Sequence, residues 1–121
     1  MKKKILLIED DEFIIKPLAI VLKQEGFELS IAGDGEAALE KLKNEQPDLI
    51  LLDIVLPKMN GFDVLKEIRS DPKTKNIPVV ILSNLAREGE VKMGLAEGAN
   101  DYIIKTNLSL SNLIKKVKTY L

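Results

Sequence analysis

Five short apolar runs, each followed by an amphipathic stretch, predict an α/β fold built on a doubly wound parallel sheet. The alternation runs the length of the 121 residues, with no repeat, linker or low-complexity segment to interrupt it. Four of the five runs are continuously apolar, the pattern of parallel strands covered on both faces. The length suits one domain, residues 1–121, and leaves no room for an output domain of ordinary size.

The strands are predicted at 5–8, 29–32, 49–52, 79–82 and 102–104. The second alternates apolar and polar residues (Leu29-Ser30-Ile31-Ala32) and is expected at a sheet edge. The first helix is predicted over 13–25, with Leu18, Val21 and Leu22 inward and Gly26 as its stop. Pro17 lies too deep in it for comfort, so a kink or a late start is expected. The second is predicted over 35–45, capped by Asp34, with Ala38, Leu39 and Leu42 inward. The third covers 61–69 on Val64, Leu65 and Ile68 and ends before Asp71-Pro72; the fourth covers 88–97 and stops at Gly98. The last is capped by Ser109 and places Leu110, Leu113, Ile114, Val117 and Leu121 inward.

Right-handed crossovers and five βα units give a flavodoxin-like sheet of order 2-1-3-4-5, (βα)5. In such a sheet the ligand site lies at the carboxyl ends of the strands, beside the switch point between strands one and three. Glu9 and Asp10 follow strand one, with Asp11 next; Asp53 follows strand three, Ser83 strand four and Lys105 strand five. Carboxylates so close repel one another, and a hard divalent cation with oxygen ligands, Mg2+, removes that cost.

Composition narrows the chemistry. Cysteine and histidine are both absent, which excludes disulfides, thiolate metal sites, cysteine nucleophiles and Ser/His/Asp triads. A net charge of −1 argues against direct nucleic acid binding. The basic start Met1-Lys2-Lys3-Lys4 is followed by only four apolar residues before Glu9, so no signal peptide can be built, no run reaches membrane-spanning length, and a cytoplasmic location is expected. Carboxylate, hydroxyl, lysine and Mg2+ remain, and these are the parts for phosphoryl transfer to an aspartate. Asp53 can be the nucleophile, Lys105 and the metal can balance the phosphoryl charge, and Ser83 can donate to one of its oxygens.

Each residue alone has a blander reading. Glu9 to Glu12 suits a solvated loop at a helix start, Asp53 a turn, Ser83 a strand-end cap, and Lys105 is one of sixteen lysines. Their arrival together at the strand ends of one sheet is what favours the site.

The chain resembles the receiver domain of two-component response regulators over its whole length. The resemblance rests on Ile5-Leu6-Leu7-Ile8-Glu9-Asp10-Asp11, on the stretch from Leu51-Leu52-Asp53 through Pro57-Lys58-Met59-Asn60-Gly61, on Leu82-Ser83 and on Asp101-Tyr102-Ile103-Ile104-Lys105. It implies that Asp53 accepts phosphate from a phosphohistidine on a sensor histidine kinase or histidine phosphotransfer protein. Glu9, Asp10, Asp53 and the backbone carbonyl of Val55 would hold Mg2+, with Asp11 outside the metal shell near the first helix. Ser83 would be the switch hydroxyl and Tyr102 the coupled aromatic that swings inward with it. Helix four, strand five and helix five would signal to a downstream protein, as a monomer or a phosphorylation-linked homodimer. The resemblance further implies a signalling domain that catalyses its own phosphorylation and dephosphorylation, not an enzyme acting on other substrates. Thr106 stands where the family usually carries proline, so a trans bond and a differently shaped loop are expected there. Val55 and Leu85, two residues beyond Asp53 and Ser83, would flank the path of an attacking water; both are apolar, which predicts a long-lived phosphorylated state.

Three other readings compete. Gly33-Asp34-Gly35-Glu36-Ala37-Ala38 spells G-x-G-x-x-A, the mark of a nucleotide-binding module, but follows strand two and would set Asp34 and Glu36 against a pyrophosphate. A tight turn with an N-cap explains it better. A phosphorylation-independent pseudo-receiver scaffold would usually have lost the acidic pair, the aspartate or the lysine, and all are present. An Mg2+-dependent phosphatase needs a second acid–base aspartate near the nucleophile, where position 55 is valine.

Overall fold

A computed structural model describes residues 2–121; Met1, the start of the basic run, lies outside them. Strands β1 (Lys4–Ile8), β2 (Glu28–Ala32), β3 (Leu49–Leu52), β4 (Val79–Ser83) and β5 (Asp101–Ile104) alternate with helices α1 (Glu12–Gln24), α2 (Gly35–Leu42), α3 (Gly61–Ser70), α4 (Glu88–Ala96) and α5 (Leu110–Thr119). All the strand pairs are parallel, in the order β2-β1-β3-β4-β5.

Alternate residues of each strand feed two cores. Leu6, Ile8, Ile50, Leu52, Val79 and Ile81 face α2 and α3, meeting Ala38, Leu42, Val64, Leu65 and Ile68. Ile5, Leu7, Leu49, Leu51, Val80 and Leu82 face α1 and α5, meeting Ile15, Leu18, Leu22, Leu113, Ile114 and Val117. Each fully buried Leu or Ile contributes roughly 2 kcal/mol from area removed from water. These helices are therefore held by one apolar stripe each.

Caps set the helix ends. Asp11 accepts from the Phe13 amide, Asp34 from Ala37, Asn60 from Phe62 and Ser109 from Asn112. Gly26 and Gly98, at φ +89° and +106°, end α1 and α4 in the left-handed region where a side chain would be strained.

Some expectations need correction. The helix α1 starts at Glu12 and continues through Pro17, so there is no late start; Pro17 is exposed, and water can satisfy the carbonyl that its missing N–H leaves free. Val21 and Leu39 are only half-buried, and Leu110 is 36% exposed, because it opens α5 beyond the edge of the core. The helix α2 ends at Leu42 rather than 45. The β5 run is apolar yet half-buried throughout, since the order that places β2 at one edge places β5 at the other.

Candidate functional site

Strand register builds the site. Ile8 pairs with Leu52, so Glu9 and Asp53 leave the sheet side by side, and the Asp53 amide donates to the Ile8 carbonyl at 3.0 Å. Ser83 pairs with Ile104, which brings Lys105 out beside the end of β4. These ends open into a cleft of about 520 Å³ lined by Glu9, Asp10, Asp11, Asp53, Val55, Ser83, Asn84, Leu85 and Lys105. The structure thus brings together the predicted carboxylates, hydroxyl and lysine.

Glu9 is 1% exposed, Asp53 6% and Ser83 0%, while Asp10 is open to solvent. Lys105 Nζ sits between two carboxylates, 2.6 Å from Glu9 Oε2 and 3.0 Å from Asp53 Oδ2. Asp53 Oδ1 accepts from the Ile54 amide at 2.7 Å and the Val55 amide at 3.3 Å. Glu9 Oε1 accepts from Asp11 N at 3.2 Å. Glu9 Oε2 touches the ammonium but accepts no directed hydrogen bond from any described group.

The electrostatics follow. Burial raises the Glu9 carboxyl above its ordinary range, and the Asp53 charge pushes it further, against the pull of Lys105. Burial alone would lower Lys105, but its close ion pairs with Glu9 and Asp53 outweigh that and hold the ammonium above its usual value. One cation therefore faces more negative charge than it can neutralise. Glu9, Asp10 and Asp53 each offer an oxygen within 4.8 Å of the others. A buried carboxylate oxygen with no directed hydrogen bond, in an all-oxygen set, fits a hard divalent cation such as Mg2+.

Asp11, also on the cleft wall, accepts from the Phe13 amide and caps α1. Ser83 Oγ accepts from the Leu85 amide at 3.3 Å, and the Tyr102 hydroxyl donates to the Leu85 carbonyl at 2.6 Å. The hydroxyl and the aromatic thus meet through one loop residue. Burial raises the Tyr102 phenol, helped by the charges of Glu90 and Asp53, while the nearby Ser83 hydroxyl pulls it down. Val55, 62% exposed, and Leu85 border the cleft. The described backbone has no cis peptide, and Lys105–Asn107 forms a 3₁₀ turn, so Thr106 follows Lys105 in trans. The G-x-G-x-x-A segment is a turn capped by Asp34, as read from the sequence.

Two features escaped the sequence. Asn84 lines the cleft, with only its place after Ser83 as a signal. Gly61 is a matter of space: a Cβ there would strike the Asp53 carbonyl oxygen and the Ile54 Cα, so glycine lets α3 start against the backbone that carries Asp53.

Comparison with known proteins agrees with this geometry. The chain is 42% identical over 105 residues to the DNA-binding response regulator MtrA of Mycobacterium tuberculosis, covering 87% of this chain and 45% of that protein. It thus spans about half the length of the curated relatives it matches. A putative response regulator from Chloroflexus aurantiacus superposes with a TM-score of 0.93 at 30% identity, covering 99% of this chain and 98% of the other. The receiver domain of sensor histidine kinase PA1611 from Pseudomonas aeruginosa, with a magnesium ion coordinated in its active site cleft, superposes with a TM-score of 0.90 at 26% identity, covering 99% and 98%. Residues 5–118 match the response regulator receiver domain, and the chain belongs to that family.

Proposed function

We propose that this receiver domain accepts a phosphoryl group on Asp53 from a phosphohistidine of a sensor histidine kinase or histidine phosphotransfer protein. The observation that carries the reading is the buried Glu9–Lys105–Asp53 cluster at the mouth of a cleft, with more carboxylate than its one ammonium can balance. An Asp53 oxygen forms the P–O bond as the donor's P–N bond breaks, and the electron pair leaves with the imidazole nitrogen. Lys105 already points at Asp53, so it meets the phosphoryl oxygens without reorganisation. The Ile54 and Val55 amides hold the Asp53 carboxylate in place. Ser83 supplies a hydroxyl to one phosphoryl oxygen. Glu9, Asp10, Asp53 and the Val55 carbonyl would hold Mg2+, which would supply positive charge for the same oxygens.

Turning Ser83 toward a phosphoryl group takes its oxygen from the Leu85 amide, and Leu85 is also where Tyr102 is anchored. That path leads to α4, β5 and α5, the surface read by a downstream protein or a second copy. Hydrolysis of the phosphoaspartate in the same cleft resets the domain. Phe13, 90% exposed two residues beyond Asp11, offers the donor an apolar foothold beside the cleft. In this reading residues 1–121 are a single receiver domain working in the cytoplasm; no described helix is long and apolar enough to cross a membrane.

Intact mass after incubation with acetyl phosphate tests the reading, with and without Mg2+, on the wild type and Asp53→Asn. One Mg2+-dependent phosphoryl adduct, absent from the variant, is expected. An adduct that persists in Asp53→Asn refutes the assignment of the acceptor. If no adduct forms even from a phosphohistidine donor, the pseudo-receiver is the better reading.

A further inference from the structure

The helix α4 differs from its neighbours in how it meets the sheet. Where α1, α3 and α5 bury leucine, isoleucine and valine, the one buried residue of α4 is Gly94. It lies over Ile81 and Tyr102, which pair across β4 and β5. A Cβ at Gly94 would stand 2.7 Å from Ile81 Cδ1, 3.0 Å from Tyr102 Cδ2 and 3.2 Å from Tyr102 Cε2. The methyl of Ile81 is the end of a flexible side chain and can turn aside. The tyrosine is less free, because its hydroxyl is anchored on the Leu85 carbonyl. Glycine inside a helix is costly in backbone entropy, so its place here calls for a packing reason. Gly89, on the same helix, has open space around it and shows what α4 tolerates elsewhere.

We propose that Gly94 is a notch in α4 that admits the Tyr102 ring, and that this notch makes the ring answer to Ser83 through Leu85. With the notch open, the ring packs between α4 and β5 and its hydroxyl grips the loop residue whose amide binds Ser83 Oγ. With the notch filled, the ring must give way by a few tenths of an ångström against its anchored hydroxyl, the bond to the Leu85 carbonyl is strained, and the signal from Asp53 to the α4–β5 face is weakened. Gly94 touches none of the cleft-lining residues through this contact, so it is a positioning residue. The inference rests on the reading that Asp53 accepts phosphate.

The chain has two tyrosines and no tryptophan, so 3-fluorotyrosine gives two 19F resonances, and Tyr120→Phe assigns them. The full chain is compared as wild type, Gly94→Ala and Gly89→Ala, before and after acetyl phosphate with Mg2+, with intact mass measured on the same samples. In Gly94→Ala the Tyr102 resonance is expected to shift from its wild-type position and to respond less to acetyl phosphate, while the phosphoryl adduct still forms. Gly89→Ala is expected to match the wild type in every respect. A wild-type Tyr102 resonance in Gly94→Ala, or an equal displacement in Gly89→Ala, overturns the notch. Absence of the adduct from the wild type overturns the phosphoacceptor reading instead, and the resonance position without acetyl phosphate still tests the notch. Should Gly94→Ala fold poorly, its effect on the denaturation midpoint is measured again in Tyr102→Ala. Removing the ring is expected to abolish the effect, and additivity of the two changes refutes the proposal.

Discussion

A cation sits at each end of the sheet, Arg69 half-buried at one and the Lys105 side chain nearly buried at the other, and the two are satisfied in opposite ways. At the amino ends of β4 and β5, Arg69 donates to the carbonyls of Gly98, Lys75 and Ile77 and to the Asn100 side chain, at 2.7 to 3.1 Å. Those acceptors are all neutral, and burial lowers the guanidinium from its usual value. At the carboxyl ends Lys105 is shared by two carboxylates, its ammonium is raised, and a Glu9 oxygen is left without a directed hydrogen bond. A cation surrounded by neutral dipoles ties elements together and asks for nothing more. A cation outnumbered by buried carboxylates leaves charge for a ligand to complete. The difference separates a structural clamp from a site, although both cations join several elements.

The largest test of that comparison is a crossed pair of variants. Lys105→Ala is expected to slow phosphorylation by acetyl phosphate on the order of a hundredfold, the usual cost of losing one preorganised charge on a reacting group. Arg69→Ala is expected to lower unfolding free energy by about 1–2 kcal/mol, since two part-buried carbonyls and one exposed one lose a charged donor. Its phosphorylation rate should stay near that of the wild type while the protein is folded. Denaturant titration and adduct kinetics on both variants give the answer. If Arg69→Ala abolishes phosphorylation in folded protein, the two ends are not separable in this way.

A smaller effect probes the wall of the cleft. Val55 and Leu85 bring no polar atom of their side chains to the approach of water. Val55→Asn or Leu85→Gln should shorten the life of the phosphorylated state on the order of tenfold by orienting the attacking water. Following adduct decay by intact mass checks this, and unchanged lifetimes in both variants would count against the assigned path.

The cleft end was legible because its chemistry lies in side chains at fixed offsets from apolar runs: one residue past β1, one past β3, and the residues that close β4 and follow β5. The clamp was not, because Arg69 speaks to backbone carbonyls, which leave no trace in the order of residues. Edge strands mark a second boundary. The alternation of β2 announced its place, whereas the Tyr102-Ile103-Ile104 run of β5 is apolar and reads like a central strand. Gly61 and Gly94 mark a third, because close approach of a backbone or a ring is a property of three dimensions only.

Backbone strain also divides the two ends. Lys58, in the β3–α3 loop on the cleft side, has φ +67° and is the one non-glycine residue with positive φ among those described. Its ion pair with Asp34 is long, 3.7 Å, and the lysine is well exposed, so the pair compensates little. Lys58→Gly should therefore stabilise the fold by about 1 kcal/mol, read as a shift in the urea midpoint. A loss of stability would mean that the lysine side chain holds this loop.

The smallest effect sharpens the comparison at the clamp end, where Asp101 follows Asn100. Burial pushes the Asp101 carboxyl up, but hydrogen bonds from Lys116, the Tyr102 amide and Tyr120 prevail and hold it below the usual carboxylate value of 3.8. Between that value and its lowered folded one, the unfolded chain binds more protons than the folded chain, so stability rises with pH across the window. The contribution is present above pH 3.8 and is lost as pH falls through the folded value. Lys116 is solvent-exposed, so screening by water leaves the pair a weak one. Asp101→Asn is expected to be slightly less stable than the wild type at neutral pH, and the gap should close in acid. A gap that stays constant from neutral pH into acid would assign the effect to packing of the Asp101 side chain rather than to its charge.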